Sequence, residues 1–587
     1  MSKLSRREFV YMMAMLGATP VFANSHTRMT DTKKLEDYYK LKPFGNARFL
    51  HMTDSHAQLL PVYFREPSVN LGFFSNFGKP PHIVGEKLLD YYGIKGNKRL
   101  EYAYSCVDFE KHAKVMGKVG GFAQIKTVVD YLKGSFGADK TLLLDGGDTW
   151  QGSATALYTR GRDMVGAMNL LGVDVAVGHW EFTYKAEEVI ANVKELKAEF
   201  LAQNIFVKED SMMNGVEAFD EDTGHAFKPY TIKKMGNARV AIIGQAFPYT
   251  TIANPQRFIP DWSFGIKEDS MQEIVNKIKT EEKPDAIIVL SHNGFDTDKK
   301  MAEVVSGIDF IMGGHTHDGV PEAVPVKNAN GTTYVCNAGS NGKFLNVLDL
   351  DIQKGKIKDF KFTLLPIFSD LIPENKEMKK YIEDVRLPFL KELTRPIATT
   401  EQTLFRRGNF NGSWDQIICD ALLEVKEAQI SLSPGFRWGT SVMPGQTITF
   451  DDLMTQTAMT YPETYSRDIK GEDIKAILED VADNLFNEDP FYQQGGDMVR
   501  TGGISYKINP TAKMGERITD IVLTKTGEKL EASKAYKVAG WSTVGAQSEG
   551  EPVWETVETY LKNVKHISNV KVDTPDIIGV KGNPGII

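Results

Sequence analysis

The sequence predicts a layered α/β domain followed by a separate α+β domain. The chain has 587 residues, which is too long for one hydrophobic core and indicates two large domains. From Ala47 onward, short apolar runs alternate with segments of helical periodicity, and this alternation is typical of buried strands between helices. The predicted strands are residues 48–52, 141–144, 174–177, 240–243, 286–290 and 310–312, and helices are predicted at 122–132 and 271–281.

A polar helical segment rich in Lys and Glu, residues 374–393, marks the domain boundary because it follows a break at Pro373. We predict a first domain at 45–370, a linker helix at 371–395 and a second domain at 396–587. The second domain mixes predicted helices at 414–425 and 471–484 with strand-like runs at 503–508, 518–524 and 535–539. This mixture indicates an α+β unit.

Residues 1–23 read as a twin-arginine signal peptide. Arg6 and Arg7 precede a modest apolar run at 10–21, and Val21-Phe22-Ala23 resembles a cleavage site. The alternative is a short amphipathic helix. The apolar run is too short to span a bilayer, and no later run reaches about 18 apolar residues. We therefore expect a soluble periplasmic protein without a membrane anchor after cleavage.

Charge and cysteine content limit the possible functions. A net charge of −8 argues against a general nucleic-acid binder, which normally carries a basic face. Cys106, Cys336 and Cys419 are too few, and odd in number, for a disulfide framework. Because twin-arginine export carries folded proteins, such a chain can load metal in the cytoplasm, away from competing Cu²⁺ and Zn²⁺.

Residues of metal-binding types follow directly after five predicted strands. The carboxyl ends of strands in an α/β sheet converge on one rim, where ligands bind. Asp54-x-His56 alone is a weak signal because Asp and His are common on surfaces, and Gly147-Asp148 is weaker because Asp after Gly favours any turn, whereas Gly314-His315-Thr316-His317 is a moderate signal. Together the five motifs contain five of the eleven histidines, which favours one shared metal site. The residues are Asp54, His56, Asp148, His179, His292, His315 and His317.

In these motifs the chain resembles the calcineurin-like metallophosphoesterases and, within them, the exported 5′-nucleotidases. The second domain adds matching stretches at 414–422, 434–437 and 502–506. The resemblance implies a four-layer α/β/β/α metal domain followed by a 5′-nucleotidase-like domain. It also implies that a water shared by two cations attacks the substrate. One cation would be held by Asp54, His56 and His317, the other by His179, His292 and His315, with Asp148 between them.

One motif departs from the nucleotidases, which carry Gly-Asn-His-Glu-x-Asp at residues 178–183. Here Trp180 replaces the catalytic His, Thr183 replaces the Asp that orients it, and His179 replaces a metal-binding Asn. The lost His assists departure of an alkoxide, whose pKa is close to that of water, about 15.7. Sulfur anions need no such help, because even a thiol has a pKa of about 8.5. The motif favours cleavage at a sulfur leaving group.

This pattern resembles the thiosulfohydrolases of the periplasmic Sox sulfur-oxidation system. The resemblance implies hydrolysis of a cysteine S-thiosulfonate on the SoxYZ carrier heterodimer, releasing sulfate. It implies two Mn²⁺ ions as cofactor. Imidazole and carboxylate ligands without thiolate also suit Fe²⁺ or Zn²⁺, so the donor set does not exclude them.

Four side chains are candidates for substrate binding. Arg437 lies where nucleotidases place an anion-binding Arg, and its guanidinium fork suits sulfonate oxygens. Its alternative role is an ion pair at the domain interface. Arg407, with its neighbour Arg406, is a second candidate. Trp180 either lines a channel for the carrier arm or packs as core.

The sequence leaves two other functions open. A true nucleotidase or related phosphoesterase is one, because Phe436, Trp438, Phe491 and Tyr492 could stack a base. A non-enzymatic docking protein is the other, although a decayed site should lose ligands first. An aromatic-rich insertion of some sixty residues after His56 is either functional or a loop over its own small core.

Overall fold

The computed structural model describes residues 39–545 and 547–587, so the predicted signal peptide at 1–23 lies outside the described residues. The first domain is built on two six-stranded sheets. In both sheets the central strands run parallel; antiparallel strands form one edge of the first sheet and both edges of the second.

The first sheet contains three of the predicted strands at its centre. Residues 47–52 pair in parallel with 141–145, which pair in parallel with 175–176. A long antiparallel hairpin, which the sequence analysis did not predict, forms one edge. In spatial order the strands are Lys356–Pro366, Phe344–Gln353, Ala47–Met52, Thr141–Asp145, Val175–Ala176 and Glu199–Phe200.

The second sheet contains the other three predicted strands. They run parallel to one another, and two unpredicted antiparallel strands close its edges. In spatial order the strands are Val324–Asn328, Gly331–Asn337, Phe310–Gly313, Ala286–Ser291, Ala238–Gln245 and Tyr230–Met235.

The two sheets share one core, and side-chain alternation along the strands places it between them. In the second sheet, Val240 and Ile242 face the main core together with Phe49 of the first sheet. Their neighbours Ala241 and Ile243 face a separate core formed with outer helices. A strand buried on both faces must be apolar throughout, which explains the near-continuous apolar runs in the sequence.

Helices cover the sheets of the first domain. The predicted helix at 122–132 extends to Phe136, and the one at 271–281 begins earlier and ends in a wider π turn. A two-stranded sheet pairs Ile205–Val207 with Trp262–Phe264. The α-helices are Gly85–Tyr92, Lys98–Tyr104, Phe109–Met116, Phe122–Phe136, Ala154–Thr159, Arg162–Leu171, Ala186–Glu195, Glu209–Met213, Thr250–Ala253, Glu268–Lys277 and Phe295–Val304.

The aromatic insertion is not a simple loop, because the first three of these helices lie within it. Tyr92, Tyr102 and Tyr104 are buried in the main core of the domain. The insertion therefore packs into that core and does not form a small one of its own.

The second domain carries three small sheets. They are, in spatial order, Thr464–Lys470, Ala535–Trp541, Ile430–Ser433 and Arg500–Gly502; then Thr447–Thr449, Pro396–Thr400 and His566–Ile567; then Ile518–Leu523, Ile504–Ile508 and Asp576–Ile577. The helices Ser413–Val425, Phe450–Thr457, Gly471–Phe486 and Val553–Val564 pack against them. This is the mixed α/β content that the sequence predicts.

Two segments tie the domains together. The segment between them forms the helices Lys376–Arg386 and Leu390–Leu393, and the first packs Met378 and Ile382 into the first-domain core. The end of the chain returns to the insertion, where the Asn583 side-chain amide donates to the Gly72 carbonyl at 2.9 Å. No helix in the described part of the chain is apolar over enough length to traverse a bilayer.

Candidate metal centre

The structure brings all seven predicted side chains together where strand ends of the two sheets meet. They form two groups that share Asp148, and within each group the possible ligand atoms lie within 4.8 Å of one another. All seven residues are buried. The first group is Asp54, His56, Asp148 and His317, and the second is Asp148, His179, His292 and His315.

Short distances between possible ligand atoms characterise the first group. His56 Nε2 lies 3.0 Å from His317 Nε2, and His317 Nε2 lies 3.2 Å from Asp54 Oδ1. His56 Nδ1 faces the Gln151 carbonyl at 3.2 Å. Because a carbonyl only accepts, Nδ1 donates there and the Nε2 lone pair points into the group.

The second group repeats this arrangement around the Asp148 carboxylate. His292 Nε2 lies 3.1 Å from Asp148 Oδ2, and His179 Nδ1 lies 3.3 Å from the same carboxylate. His292 Nδ1 donates to the Gly146 carbonyl at 2.5 Å, which directs its Nε2 inward. Asp148 therefore lies between both groups of imidazoles.

Five of the seven residues have left-handed backbone conformations, which non-glycine residues rarely adopt. Such conformations cost of order 1–3 kcal/mol each and persist only where the surroundings enforce them. Their clustering at one rim indicates a functional site. The φ angles are 52° at Asp54, 44° at His56, 59° at Asp148, 73° at His315 and 60° at His317.

Burial keeps most of these imidazoles neutral, which is the form that binds metals. It lowers the pKa of His56 to about 4 and lowers the pKa of His179. Burial also lowers the pKa of His315 and His317 well below the usual range. His292 differs: burial would lower its pKa, but the carboxylates of Asp148 and Asp54 outweigh burial and raise it to about 10.

Buried nitrogen atoms without partners show that this donor set fits divalent cations. Within residues 39–545 and 547–587, His179 Nε2 and both ring nitrogens of His315 have no hydrogen-bond partner. An unpaired buried polar group is costly, and each one requires an explanation such as an ion. Imidazole and carboxylate donors in two groups sharing one Asp provide that explanation.

Glu181 braces the site, a role that the sequence analysis did not assign. Its carboxylate accepts backbone N–H groups from Asp148, Thr149 and Trp150 at 3.1, 2.7 and 3.2 Å, and from His179 at 2.8 Å. It is fully enclosed, and burial raises its pKa. Glu181 thus fixes the loop that carries Asp148 to the loop that carries His179. Its position two residues after His179, within an otherwise apolar run, was the available signal.

A cavity of about 260 Å³ leads to the candidate metal centre between the two domains. It reaches ligands of both groups, and aromatic side chains form one wall. Trp180 is buried and contacts Phe436 and Trp438 edge-to-face, with ring centroids 5.5 and 5.1 Å apart. Trp180 therefore lines the channel and packs against the second domain at the same time.

The three candidate arginines occupy different places. Arg437 lines the cavity; its Nη2 donates to the Gly496 carbonyl at 2.7 Å, and its buried Nη1 has no partner within the described ranges. Arg407 does not line this cavity but a second one beside it. Arg406 lines neither, because it is buried in an ion pair with Asp415 at 2.8 Å. Its position gives no support to the helper role considered for Arg406.

Neither Thr183 nor the remaining carboxyl group of the cavity can act as the His–Asp pair of the nucleotidases. Thr183 Oγ1 lies 2.6 Å from Thr460 Oγ1, so its hydroxyl is engaged with the second domain. Apart from the seven candidate metal ligands, Asp497 is the carboxyl group that lines the cavity. Burial would raise its pKa, but Arg437 and Arg500 keep the pKa below its usual value. It is ionised and does not serve as a proton donor near pH 7.

The aromatic residues considered for base stacking do not form a slot. Phe436 and Trp438 stack on each other with centroids 4.0 Å apart, which leaves no space for a ring between them. Phe491 and Tyr492 do not line the cavity, and Tyr492 is 62% exposed. These positions do not support a sandwiched nucleobase.

Comparison with known proteins places the chain among the 5′-nucleotidase relatives. The family described as 5′-nucleotidase, C-terminal domain matches residues 396–556. The 5′-nucleotidase of Bos taurus is 26% identical over 468 residues, which cover 72% of this chain and 76% of that protein. The trifunctional nucleotide phosphoesterase YfkN of Bacillus subtilis is 28% identical over 461 residues, covering 70% of this chain and 30% of that protein.

Solved structures give a closer match. The 5′-nucleotidase precursor of Thermus thermophilus has the same fold, with a TM-score of 0.71 at 21% identity, over 91% of this chain and 99% of that one. The Thermus thermophilus sulfate thiohydrolase SoxB, solved with glycerol, has a TM-score of 0.85 at 34% identity, over 92% of this chain and 98% of that one. The chain therefore belongs to the SoxB family, within the superfamily of 5′-nucleotidases and calcineurin-like metallophosphoesterases.

Proposed function

We propose that the chain is a thiosulfohydrolase that releases sulfate from a cysteine S-thiosulfonate carried by the SoxYZ protein, with two Mn²⁺ ions as cofactor. The observation that carries this proposal is Trp180, an apolar indole at the channel wall where the nucleotidases have their catalytic His. The relation to a sulfate thiohydrolase at 34% identity supports it.

The reaction breaks the bond between the sulfonate sulfur and the sulfane sulfur. Water supplies the fourth oxygen of sulfate, the S–S electron pair leaves with the sulfane sulfur as a persulfide anion, and two protons are released. No external oxidant or reductant is needed. Two divalent cations, when bound, supply Lewis-acid activation of water and stabilise the charge that develops on the substrate oxygens.

The residues around the cavity suit a leaving group that needs no proton. A persulfide anion is a far weaker base than an alkoxide, so the missing acid costs little. The indole of Trp180, packed against Trp438, excludes water from the side where a nucleotidase His would stand.

Arg437 is the residue we expect to hold the sulfonate. Its unpaired Nη1 lies in the cavity wall while Nη2 and Nε are held by Gly496 and Asp497, so the guanidinium is fixed before substrate binds. Charge-assisted hydrogen bonds from a fixed fork favour an anionic group of several oxygens.

The same proposal places the protein in the periplasm. Residues 1–23 would direct export of the folded chain by the twin-arginine pathway. A carrier in the same compartment could then present its substrate, and a channel of about 260 Å³ admits an extended peptide arm rather than a folded surface.

The proposal is tested by parallel assays of the Mn²⁺-loaded protein with thiosulfonated SoxYZ and with AMP. We expect sulfate release from the carrier that depends on Mn²⁺, and AMP hydrolysis at least about 100-fold slower, the lower end of what a positioned acid contributes. Zn²⁺ and Fe²⁺ serve as alternative metals in the same assay. Efficient AMP hydrolysis without sulfate release would establish the nucleotidase alternative, and inertness of a metal-loaded protein toward both would favour a docking protein.

A further inference from the structure

A second cavity of about 70 Å³ adjoins the substrate channel on the far side of His315. The two cavities share five lining residues, His315, Arg437, Asn484, Gly495 and Gly496. Only the larger cavity reaches ligands of both metal groups, so the smaller one is not the site of the reaction itself. Its size suits a small ion and not a nucleotide or a peptide.

Unpaired donors line this second cavity. Arg407 is 5% exposed, and its Nε has no partner within the described part of the chain, while its Nη2 is held by the Thr316 carbonyl at 2.8 Å. Arg437, at the boundary between the cavities, contributes the unpaired Nη1. A buried guanidinium N–H left without an acceptor is costly unless a ligand accepts it.

The amino end of the helix Phe295–Val304 also lines the cavity, beginning at its N-cap Gly294. The free N–H groups and the dipole of a helix amino end favour anions. Two guanidinium groups and a helix amino end on one small cavity make it suited to an oxyanion.

The two buried acidic groups facing the cavity are already engaged by donors. Asp296 accepts from His82 and Asn76, each at 2.8 Å, and pairs with Lys299 at 3.2 Å. Asp318 accepts from Asn70 at 3.1 Å and lies 3.4 Å from Arg407 Nη2, so Nε is the donor of Arg407 that remains for a ligand. Glu488 is the remaining carboxylate, and it is exposed at the opening.

We propose that this second cavity is a binding and exit site for the inorganic oxyanion product, so that sulfate leaves past Arg407 while the carrier arm still occupies the aromatic channel. The inference rests on the proposed function, because it needs a reaction with one carrier-bound and one free product. A single opening would trap sulfate behind the arm until the carrier dissociated. Arg437 lines both cavities, so sulfate can pass from the substrate channel to the second cavity while it stays in contact with this guanidinium group.

The site itself is tested with selenate, an analogue of sulfate that is located by its anomalous scattering. Crystals of the Mn²⁺-loaded protein grown with selenate should contain selenium in the second cavity, within hydrogen-bond distance of Arg407 and Arg437. Selenate affinity should fall at least tenfold in Arg407→Met. Arg407 also donates to the carbonyl of Thr316, which lies between the candidate ligands His315 and His317. The selenate affinity of this variant is therefore compared with that of the wild type only after the variant is shown to bind two Mn²⁺ ions.

The exit route is tested by narrowing the opening with Ser75→Trp. Ser75 is exposed, lines the second cavity and does not line the substrate channel. The first turnover with thiosulfonated carrier should keep the wild-type rate, while later turnovers slow at least threefold. Ser466→Trp, the same change at an exposed strand position lining neither cavity, should leave both phases unchanged.

Two results would overturn this inference: selenium absent from the second cavity, or later turnovers of Ser75→Trp that match those of Ser466→Trp. Failure of the proposed function has a different signature, because no sulfate would then be released from the carrier in the first turnover.

Discussion

His179 stands at the turn that follows the strand Val175–Ala176, at the position where the nucleotidases have a metal-binding Asn. Its ring lies between the Asp148 carboxylate, 3.3 Å from Nδ1, and the neighbouring imidazoles of His292 and His315. Because His179 is one of the four residues of the second group, its loss would leave that group incomplete.

We predict that His179→Ala lowers sulfate release by about 10²–10³-fold or more, the scale seen when a group that stabilises developing charge is removed. Steady-state assays at saturating Mn²⁺ measure this. His566→Ala, at a half-exposed histidine in the second domain, is the matched control. Undiminished activity in His179→Ala would remove this residue from the ligand set.

Glu181 leads to a prediction about stability. In Glu181→Gln, one acceptor oxygen becomes an NH₂ group facing backbone N–H donors, so we expect a loss of about 1–3 kcal/mol in the free energy of unfolding. We also expect Mn²⁺ affinity to fall about 10–100-fold, the usual effect of losing a group that orients ligands. Urea unfolding and metal titration measure the two effects. Equal behaviour of Glu181→Gln and the exposed control Glu187→Gln would contradict the bracing role.

Trp180→His should not produce a good nucleotidase. The new imidazole would lack an orienting carboxylate, because Thr183 is a hydroxyl already engaged with Thr460 at 2.6 Å. We expect AMP turnover by this variant to remain at least about 100-fold below that of an enzyme whose general acid is correctly positioned. Trp180→Phe, which keeps an apolar ring, is the comparison. Strong AMP hydrolysis by Trp180→His would refute the orientation argument.

At the scale of elements, the loops that follow the strands carry the site because tight turns bring each side chain back over the sheet edge. Gly314 shows how little space remains: a Cβ there would lie 2.1 Å from Thr53 Oγ1 and 2.9 Å from Asp54 Oδ2. Thr53 itself donates to Asp54 at 2.6 Å. The loop after one sheet therefore packs directly on a ligand from the other.

We predict that Gly314→Ala destabilises the fold by about 1–3 kcal/mol, as overpacking does, and weakens Mn²⁺ binding by displacing Asp54. Thermal and urea unfolding, with and without Mn²⁺, measure both. The control is Gly134→Ala, a helical position with open space around it, where we expect a gain of about 0.5–1 kcal/mol. A Gly314→Ala protein as stable as Gly134→Ala would refute the packing argument.

The buried strands and their terminal residues were predictable from the sequence because burial on both faces forces apolar runs. The edge hairpin at residues 344–366 was missed, although Lys354-Gly355 between alternating runs is a turn signal. The sequence does not reveal the three helices of the insertion, because its aromatic and glycine content is typical of a long loop. The division of Arg437 and Arg407 between two cavities depends on tertiary packing, which no local pattern encodes.

At the scale of the whole molecule, the site depends on both domains. The first domain supplies the seven candidate ligands, while the second supplies Arg437 and the ring pair Phe436–Trp438. The segment at 490–492 closes over the first domain, where Thr297 Oγ1 donates to the Pro490 carbonyl at 3.1 Å. We therefore expect substrate selection at the domain interface, while the candidate metal ligands all belong to the first domain.

We expect the seven buried side chains from five strand ends to hold two cations together. Titration of the metal-free protein with Mn²⁺, with free ion counted by its paramagnetic resonance signal, tests it directly. Binding should saturate at two ions per chain in the wild type and at one in His179→Ala. Saturation below two in the wild type, or an unchanged count in the variant, would contradict the account.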